Sequence, residues 1–367
     1  MTRVSVASGT IPLHSPYMRE LTVDTVRDYL IDCGQLRSDQ PAVVEWLAGG
    51  VSNVVFRVSA AGQTPFVLKQ SRTQLRTQAD WFSRLDRIFR EADAQRVLSE
   101  SLPAGTVPTV LFEDRENYCY AMSAVRADHA VWKQQLLAGE VDHRTFERSG
   151  RLLGEIHARS ASHPDRLPPF ADTTVFFELR VDPFYRRIAA VHPRLQPSID
   201  RMIAEMAAHP LCLVHADFSP KNILVHPDGI SLVDYETVHL GDPAFDLGFF
   251  FSHLWLKAIA LPESRMSIQQ GIEAAWLAYQ SALTAERSAA AVIHFAHLSQ
   301  RAVSHLAACL LSRVDGKSTV DYLQQESQRR FVREVSCHWL LTPQANFDAA
   351  FNDMNELLAT SDALASD

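Results

Sequence analysis

The sequence predicts an α+β chain of two lobes, and three observations carry that expectation. Its 367 residues exceed what one small core organises. Its first third reads as short β-rich runs around one long amphipathic stretch. Farther on, a compact β-hairpin signal stands among apolar helical segments such as "FFFSHLWLKAIAL" at 249–261.

Taken in order, "ELTVDTVRDYLIDCG" (20–34) predicts an opening amphipathic helix that stops at Gly34. "AVVEWLAGG" (42–50) is a β-rich run ending in Gly49-Gly50, and "NVVFRVSAAGQTPFVLKQ" (53–70) supplies two more, 53–59 and 65–70, joined by a short turn. Their β-branched content and alternation predict an antiparallel meander. "ADWFSRLDRIFREADAQRVLS" (79–99) brings Phe82, Leu85, Ile88 or Phe89, Ala92 and Val97 near one face of a helix. Two further strands are expected near "VPTVLFE" (107–113) and "NYCYAMSAV" (117–125).

Three features on this scaffold bear on chemistry. Gly49 and Gly50, with Ser52 just beyond, form a turn whose backbone can approach a ligand and present N–H groups to phosphate oxygens, although many such turns do nothing more than turn. Lys69 ends the apolar strand "FVLKQ", where an edge lysine is ordinarily solvated, and Glu91 lies in the long helix, where acids ordinarily face water. In that order, glycine turn, strand lysine and helix glutamate together describe a nucleotide cradle, with Glu91 holding Lys69 against the α- and β-phosphates.

Composition removes several function classes. A formal charge of −8 argues against general nucleic-acid binding. Five cysteines, widely spaced and without C-x-x-C, form neither a disulfide framework nor a zinc knuckle, so reduced thiols and a cytoplasmic location are expected. The N-terminus "MTRVSVASGTIPLHSPY" lacks the apolar core of a signal peptide, and the 249–261 run, interrupted by His253 and Lys257, reads as a buried helix rather than a membrane span. No repeat, low-complexity tract or signal for oligomeric state is present.

The most specific stretch is "LVHADFSPKNILVHPDGISLVDYE" at 213–236. "NILV" and "ISLVD" are strand runs around the turn "HPDG". Pairing Val225 with Ile230 puts Ile223 against Leu232 and Asn222 opposite Val233, so Asn222 and Asp234 share the open end of the hairpin. An amide oxygen and a carboxylate there suit Mg²⁺, which completes its shell with water and substrate phosphates. The preceding loop delivers Asp217 to the same place, where an ionised carboxylate can accept or orient an acceptor hydroxyl. The plainer reading, a hairpin turn with capping acids, does not account for H-x-D-x-x-x-x-N followed by a strand-terminal Asp.

"HADFSPKNILV" resembles the catalytic loop of the aminoglycoside phosphotransferase and choline kinase superfamily, the small-molecule branch of the protein-kinase-like fold. "LVDYETVHLGDPAFDLG" (232–248) resembles its metal-binding segment, and "LGEIHARS" (153–160) its L-x-x-L-H-like helix. The likeness spans roughly residues 40–340. It implies a bilobal protein-kinase-like fold: a small antiparallel β-sheet N-lobe with one long helix that binds nucleotide (1–125), and a larger, mainly helical C-lobe for catalysis and substrate (126–367). It implies ATP and Mg²⁺ as cofactors, Asp217 as catalytic base, Asn222 and Asp234 as metal ligands, and Lys69 paired with Glu91 on the phosphates. Adenine would hang from the segment around Met122, Ser123 and Val125. Asp246 would brace the catalytic loop with help from Asp242, and Glu236 would face either metal or substrate. Two departures stand out: Ala216 replaces a frequent glycine, and the phosphate loop "LAGGVSNVV" is not G-x-G-x-x-G.

The resemblance therefore implies an ATP-dependent kinase that phosphorylates a hydroxyl of a small-molecule alcohol, sugar-like or an amino alcohol, with no nucleic-acid or membrane partner. A partial likeness to methylthioribose kinases lies in "GGVSNVVFRV" and "VWKQQLLAGEVD". The alternatives are an aminoglycoside or other antibiotic O-phosphotransferase, a non-catalytic nucleotide-binding module on the same fold, and a metal-dependent hydrolase built on His215, Asp217 and Asp234. For the acceptor pocket, "HFAHLSQRAVSHL" places His294, His297, Arg301 and His305 near one helical face, read as a packed polar face with Arg301 a candidate acceptor contact. "FELRVDPFYRR" (177–187) offers Asp182 to a cationic substrate, against the plainer reading of a surface loop entering a helix. "SRVDGKSTVDYL" (312–323) reads as a polar turn entering a helix.

Overall fold

A computed structural model describes residues 18–47, 53–72 and 83–365. The described residues fall into two units: those up to Ala92 together with Val110–Ala124, and Asp93–Thr109 together with everything from Val125 on. The single cut expected at 125 is thus crossed by residues 93–109. Hydrogen bonds to this segment's carbonyls explain the grouping, because Leu232 N–H donates to Thr106 O at 2.8 Å and the Ser231 Oγ hydroxyl to Gly105 O at 2.6 Å.

The first unit comprises α1 (Val23–Asp32), β1 (Ala42–Trp46), β2 (Asn53–Ala60), β3 (Phe66–Ser71), the start of α2 (Arg87–Ser99), β4 (Val110–Asp114) and β5 (Cys119–Ser123). All pairings are antiparallel, in the order β1-β2-β3-β5-β4. A simple meander holds only for the first three strands. The chain leaves β3 through α2, enters at the edge as β4, and returns as β5 into the gap.

The period of two along β3 sorts its side chains between the two faces of the sheet. Phe66 and Leu68 join the core formed with Val26, Tyr29 and Leu30 of α1, whereas Val67 packs with Ile88, Phe89 and Ala92 of α2. Lys69 shares the parity of Val67 and so belongs to the α2 face. Glu91 lies within the buried stripe Ile88–Glu91–Ala92–Gln95 of that helix rather than on its wet side.

Helix α2 begins at Arg87, not at 79; residues 79–82 lie outside the described residues and 83–86 form the entry turn. The buried Arg87 guanidinium secures this start by donating to Arg72 O at 2.9 Å and Asn53 Oδ1 at 3.3 Å. These long-range bonds leave no periodic trace in sequence.

The second unit runs β6 (Ala130–Val131), α3 (Trp132–Leu137), α4 (His143–Ala161), a short α5 (Thr174–Phe176), a π-helix (Phe177–Arg186), α6 (Arg187–Val191) and α7 (Gln196–Ala207). It continues with β7 (Cys212–Val214), β8 (Ile223–His226), β9 (Gly229–Leu232) and β10 (His239–Gly241). Helices α8 (Pro243–Ala260), α9 (Arg265–Ala285), α10 (Arg287–Val292), α11 (Phe295–Asp315), α12 (Glu326–Leu341) and α13 (Phe347–Ala365) complete it. As expected of a core helix, α8 is buried along nearly its whole length. No single helix among the described residues is long and apolar enough to cross a membrane.

Two helix crossings depend on missing Cβ atoms. A Cβ on Gly150 of α4 would lie 1.9 Å from Ala275 O of α9, and one on Gly248 of α8 would lie 2.5 Å from the carbonyl carbon of His305 in α11. The second contact gives a physical reason for the glycine that ends G-D-P-x-x-D-L-G. Gly248→Ala is expected to cost about 1–3 kcal/mol through overpacking, read as a lower denaturant midpoint with an unchanged slope.

Candidate active site

The centre of the second unit is the loop 215–222, which leaves β7 as that strand pairs antiparallel with β10. Asp246, in the first turn of α8, holds the loop. Its carboxylate accepts the backbone N–H of His215 and of Ala216, each at 2.7 Å, and meets His157 Nε2 at 3.1 Å. His157 Nδ1 in turn meets Tyr279 Oη at 3.0 Å. Burial alone would raise the Asp246 pKa, but His157 and the loop donors outweigh it and hold the carboxyl below its ordinary value. Asp242 accepts Ala244 N–H as the N-cap of α8 and takes a two-pronged bond from Arg301, Nε at 2.7 Å and Nη2 at 2.9 Å.

With its ends so fixed, the loop turns through a left-handed residue, Ala216 at φ 59°. That backbone suits the glycine that the resemblance expects and costs an alanine roughly 1–2 kcal/mol. The turn brings Asp217 inward, 3% exposed. Arg180 Nη2 lies 2.8 Å from its Oδ1, while Lys221 Nζ and Asn222 Nδ2 both lie 2.8 Å from Oδ2. Burial pushes the Asp217 pKa up and the nearby Asp234 charge adds to that, yet Arg180 and Lys221 prevail and the carboxyl sits below its ordinary value. Asp217 is therefore ionised at neutral pH. Among the described residues Oδ1 carries one bond, from Arg180, which leaves it a lone pair open.

His215 is kept neutral by burial, which depresses its pKa. Its Nδ1 accepts the Asp217 N–H at 3.2 Å, and its buried Nε2 meets no partner among the described residues.

The hairpin has the register that the turn spacing predicts: Val225 pairs with Ile230, Ile223 with Leu232, and Val233 N–H donates to Asn222 O at 3.0 Å. Asn222 spends both amide hydrogens on Asp217, one on the side chain and one on the backbone O at 2.9 Å. Among the described residues its Oδ1 takes no hydrogen bond, which makes it the atom available to a cation. Asp234 follows β9 at φ 73°, a left-handed conformation that Asp tolerates better than most residues. Glu236 is buried, 6% exposed.

In the first unit, Lys69 Nζ lies 2.8 Å from both carboxylate oxygens of Glu91, and both side chains are buried. Met122 and Ser123 end β5, and the second unit resumes at Val125. Gly49, Gly50 and Ser52 lie outside the described residues.

The sequence pattern of the phosphotransferase enzyme family (APH) matches residues 43–281. The chain belongs to that family. As a phosphotransferase it is a small-molecule kinase, with an alcohol group as acceptor. It is 21% identical over 305 residues to the methylthioribose kinase of Geobacillus thermodenitrificans, covering 73% of this chain and 74% of that one. It is 25% identical over 249 residues to the 4-hydroxytryptamine kinase of Psilocybe cyanescens, covering 59% and 69%. A choline/ethanolamine kinase family protein from Mesorhizobium loti superposes with a TM-score of 0.50 at 19% identity, covering 93% and 94% of the two chains. The amicoumacin kinase hAmiN, solved with AMP-PNP, Ca²⁺ and Ami, does so with 0.53 at 13% identity, covering 83% and 89%. These likenesses place the phosphotransferase in the protein-kinase-like fold expected from its sequence.

Several expectations about the acceptor side need correction. Arg301 is occupied by Asp242 and braces α8 rather than offering itself to an acceptor. His294 and His297 are exposed whereas His305 is buried on Tyr185 Oη at 2.8 Å, its pKa pulled down to about 4 by burial, so the four residues do not share one face. Asp182 is engaged by Arg186 at 2.6 Å. The segment read as a surface loop is a π-helix, and it carries Arg180, the partner of Asp217 that sequence reasoning missed. The available signal was one arginine in the aromatic-rich run "FFELRVDPFY", with a proline that removes a helical N–H donor. In 312–323, residues up to Asp315 finish α11, and α12 starts only at Glu326.

Proposed function

We propose that this phosphotransferase moves the γ-phosphoryl group of ATP to a hydroxyl of a sugar-like or amino-alcohol acceptor, with Asp217 as the group that receives the hydroxyl proton. The observation that carries this reading is the buried, ionised Asp217, held by Arg180, Lys221 and Asn222 with one lone pair of Oδ1 unused. A carboxylate so well stabilised is a weak base. It orients the acceptor O–H first and takes the proton late, as the oxygen bonds to the γ-phosphorus and the bond to the β–γ bridging oxygen breaks to release ADP.

The donor set fits a magnesium ion. Asn222 Oδ1 and the Asp234 carboxylate are hard oxygen ligands, and among the described residues no group of three His, Cys, Asp or Glu forms a metal cage. Mg²⁺ takes few protein ligands and fills its shell with water and phosphate oxygens. When bound, it neutralises charge on the transferring phosphoryl group. Lys69, fixed by Glu91, serves the α- and β-phosphates in this reading, the backbone around Met122, Ser123 and Val125 the adenine, and Gly49, Gly50 and Ser52 the phosphate loop.

The test is ADP release from MgATP in the presence of sugars, polyols, amino alcohols and antibiotics, with phosphomonoester formation followed by ³¹P NMR. Acceptor-dependent ADP with a new phosphomonoester is the expected result. Magnesium-dependent ATP binding without turnover on any alcohol would contradict it and point to a non-catalytic nucleotide binder.

A further inference from the structure

Cations gather beside Asp217 in greater number than its charge needs. Arg180, already paired with Asp217, lies 5.6 and 5.5 Å from the ring centroids of Phe184 and Phe249. Arg313 lies over the same two rings at 4.7 and 5.3 Å. Arg313 is buried, yet its hydrogen-bond partners are all neutral: Ser318 O at 3.0 Å, Ser318 Oγ at 3.1 Å and His253 Nε2 at 3.0 Å.

Lys257 is 1% exposed, and its ammonium makes a single hydrogen bond among the described residues, to His253 O of its own helix at 2.9 Å. The ring of Tyr322 has Lys257 Nζ at 5.2 Å and Lys133 Nζ at 5.8 Å from its centroid. The Tyr322 hydroxyl is buried and has no hydrogen-bond partner among the described residues. Lys133 N–H donates to Pro220 O at 2.8 Å, which sets this residue against the loop that carries Asp217. Among the described residues, no carboxylate forms an ion pair with Arg313, Lys257 or Lys133.

Buried cations are retained at a cost when nothing neutralises them, and a methionine would fill the place of Lys257 with less penalty. Burial first, then Lys133 and Arg313, pulls the Lys257 pKa down to about 7, as expected where no counter-charge stabilises the ammonium form. A carboxylate or phosphate group would supply what is missing: acceptors for Lys257, Lys133 and Arg313, and for the Tyr322 O–H.

We propose that the acceptor alcohol carries an anionic group, carboxylate or phosphate, which is bound by Lys257, Arg313, Lys133 and Tyr322 while its hydroxyl meets Asp217. This rests on the kinase reading and narrows it, turning it away from cationic acceptors such as choline or an aminoglycoside.

The experiment is isothermal titration of the full chain, held at saturating AMP-PNP and Mg²⁺, with inorganic phosphate, D-glycerate and D-ribose 5-phosphate, and with glycerol and ribose as neutral counterparts. At least one anion is expected to bind saturably and more tightly than its neutral counterpart. Lys257→Met should weaken that binding at least about tenfold, as expected for loss of a buried charge-assisted bond, while its melting temperature holds or rises. Tyr322→Phe should weaken it by a smaller factor with the fold intact. No saturable anion binding, equal affinity in folded Lys257→Met, or binding only when AMP-PNP is absent would overturn the proposal; the last would assign the cluster to the nucleotide's terminal phosphate. ADP release, measured separately, keeps the two readings apart. Anion binding without phosphoryl transfer to any alcohol would sink the kinase reading and leave the cluster as an anion site alone, whereas rapid transfer to choline without anion binding would sink the anionic acceptor and leave the kinase reading standing.

Discussion

Asp217→Asn is expected to lower kcat by about 10³-fold, within the range that general-base contributions span, while ATP binding stays near the wild-type value. The amide cannot take the acceptor proton. It also fits its surroundings poorly, because donors approach both oxygens: Arg180 at Oδ1, Lys221 and Asn222 at Oδ2. Whichever way the side chain is flipped, its NH₂ meets a donor. Some loss of stability accompanies the loss of rate, and a melting curve beside single-turnover kinetics separates the two. Near-normal turnover in a folded Asp217→Asn protein would remove this residue from the chemistry.

Arg180→Met should be the most destabilising single change near the site. It breaks an ion pair whose partners are 9% and 5% exposed at the side chain, and deleting one member of such a pair typically costs about 3–5 kcal/mol. Lys221 remains, but its side chain is 48% exposed and screened by solvent.

The pH signature has a definite sign. The native Asp217 pKa lies below its unfolded value, so the carboxylate contributes stability above the unfolded pKa and loses it as pH falls through the native one. Without Arg180, the principal charge opposing burial, the native pKa rises. The acid limb of kcat/KM and the onset of acid unfolding should therefore both move to higher pH. Urea midpoints across pH 4–8, with rates on the same samples, check this; an unmoved acid limb would mean that Arg180 does not control the charge of Asp217.

What the sequence revealed depended on how local each determinant is. The hairpin register at 223–232 was legible because a short turn and a period of two leave one pairing that puts Asn222 opposite Val233. The Lys69–Glu91 pair was legible from order along the chain, although the burial of both became clear only from β3 parity and the α2 stripe. The brace at Asp246 followed from family likeness, and its reason, two loop N–H groups and His157, needed coordinates.

Arg180, Arg87 and Lys257 were not legible. A buried cation is made tolerable by partners far away in sequence, and nothing in its immediate neighbours marks it. For the same reason the sequence leaves Arg301 a candidate acceptor contact on a packed polar face, since its bond to Asp242 spans 59 positions. The insertion of β5 between β3 and β4 was also hidden, because strand order is set by a crossover through α2 rather than by any strand's own residues.

The account stands on a divalent cation held by Asn222 and Asp234 next to Asp217. Its most direct test is an electron paramagnetic resonance titration of free Mn²⁺ into the full chain with saturating AMP-PNP, comparing wild type with Asp234→Asn, a change that keeps the left-handed backbone tolerable. The account predicts one nucleotide-dependent Mn²⁺ site that weakens by at least about tenfold in the variant, in line with losses at metal-site partners. Equal Mn²⁺ affinity in a folded Asp234→Asn protein would contradict it.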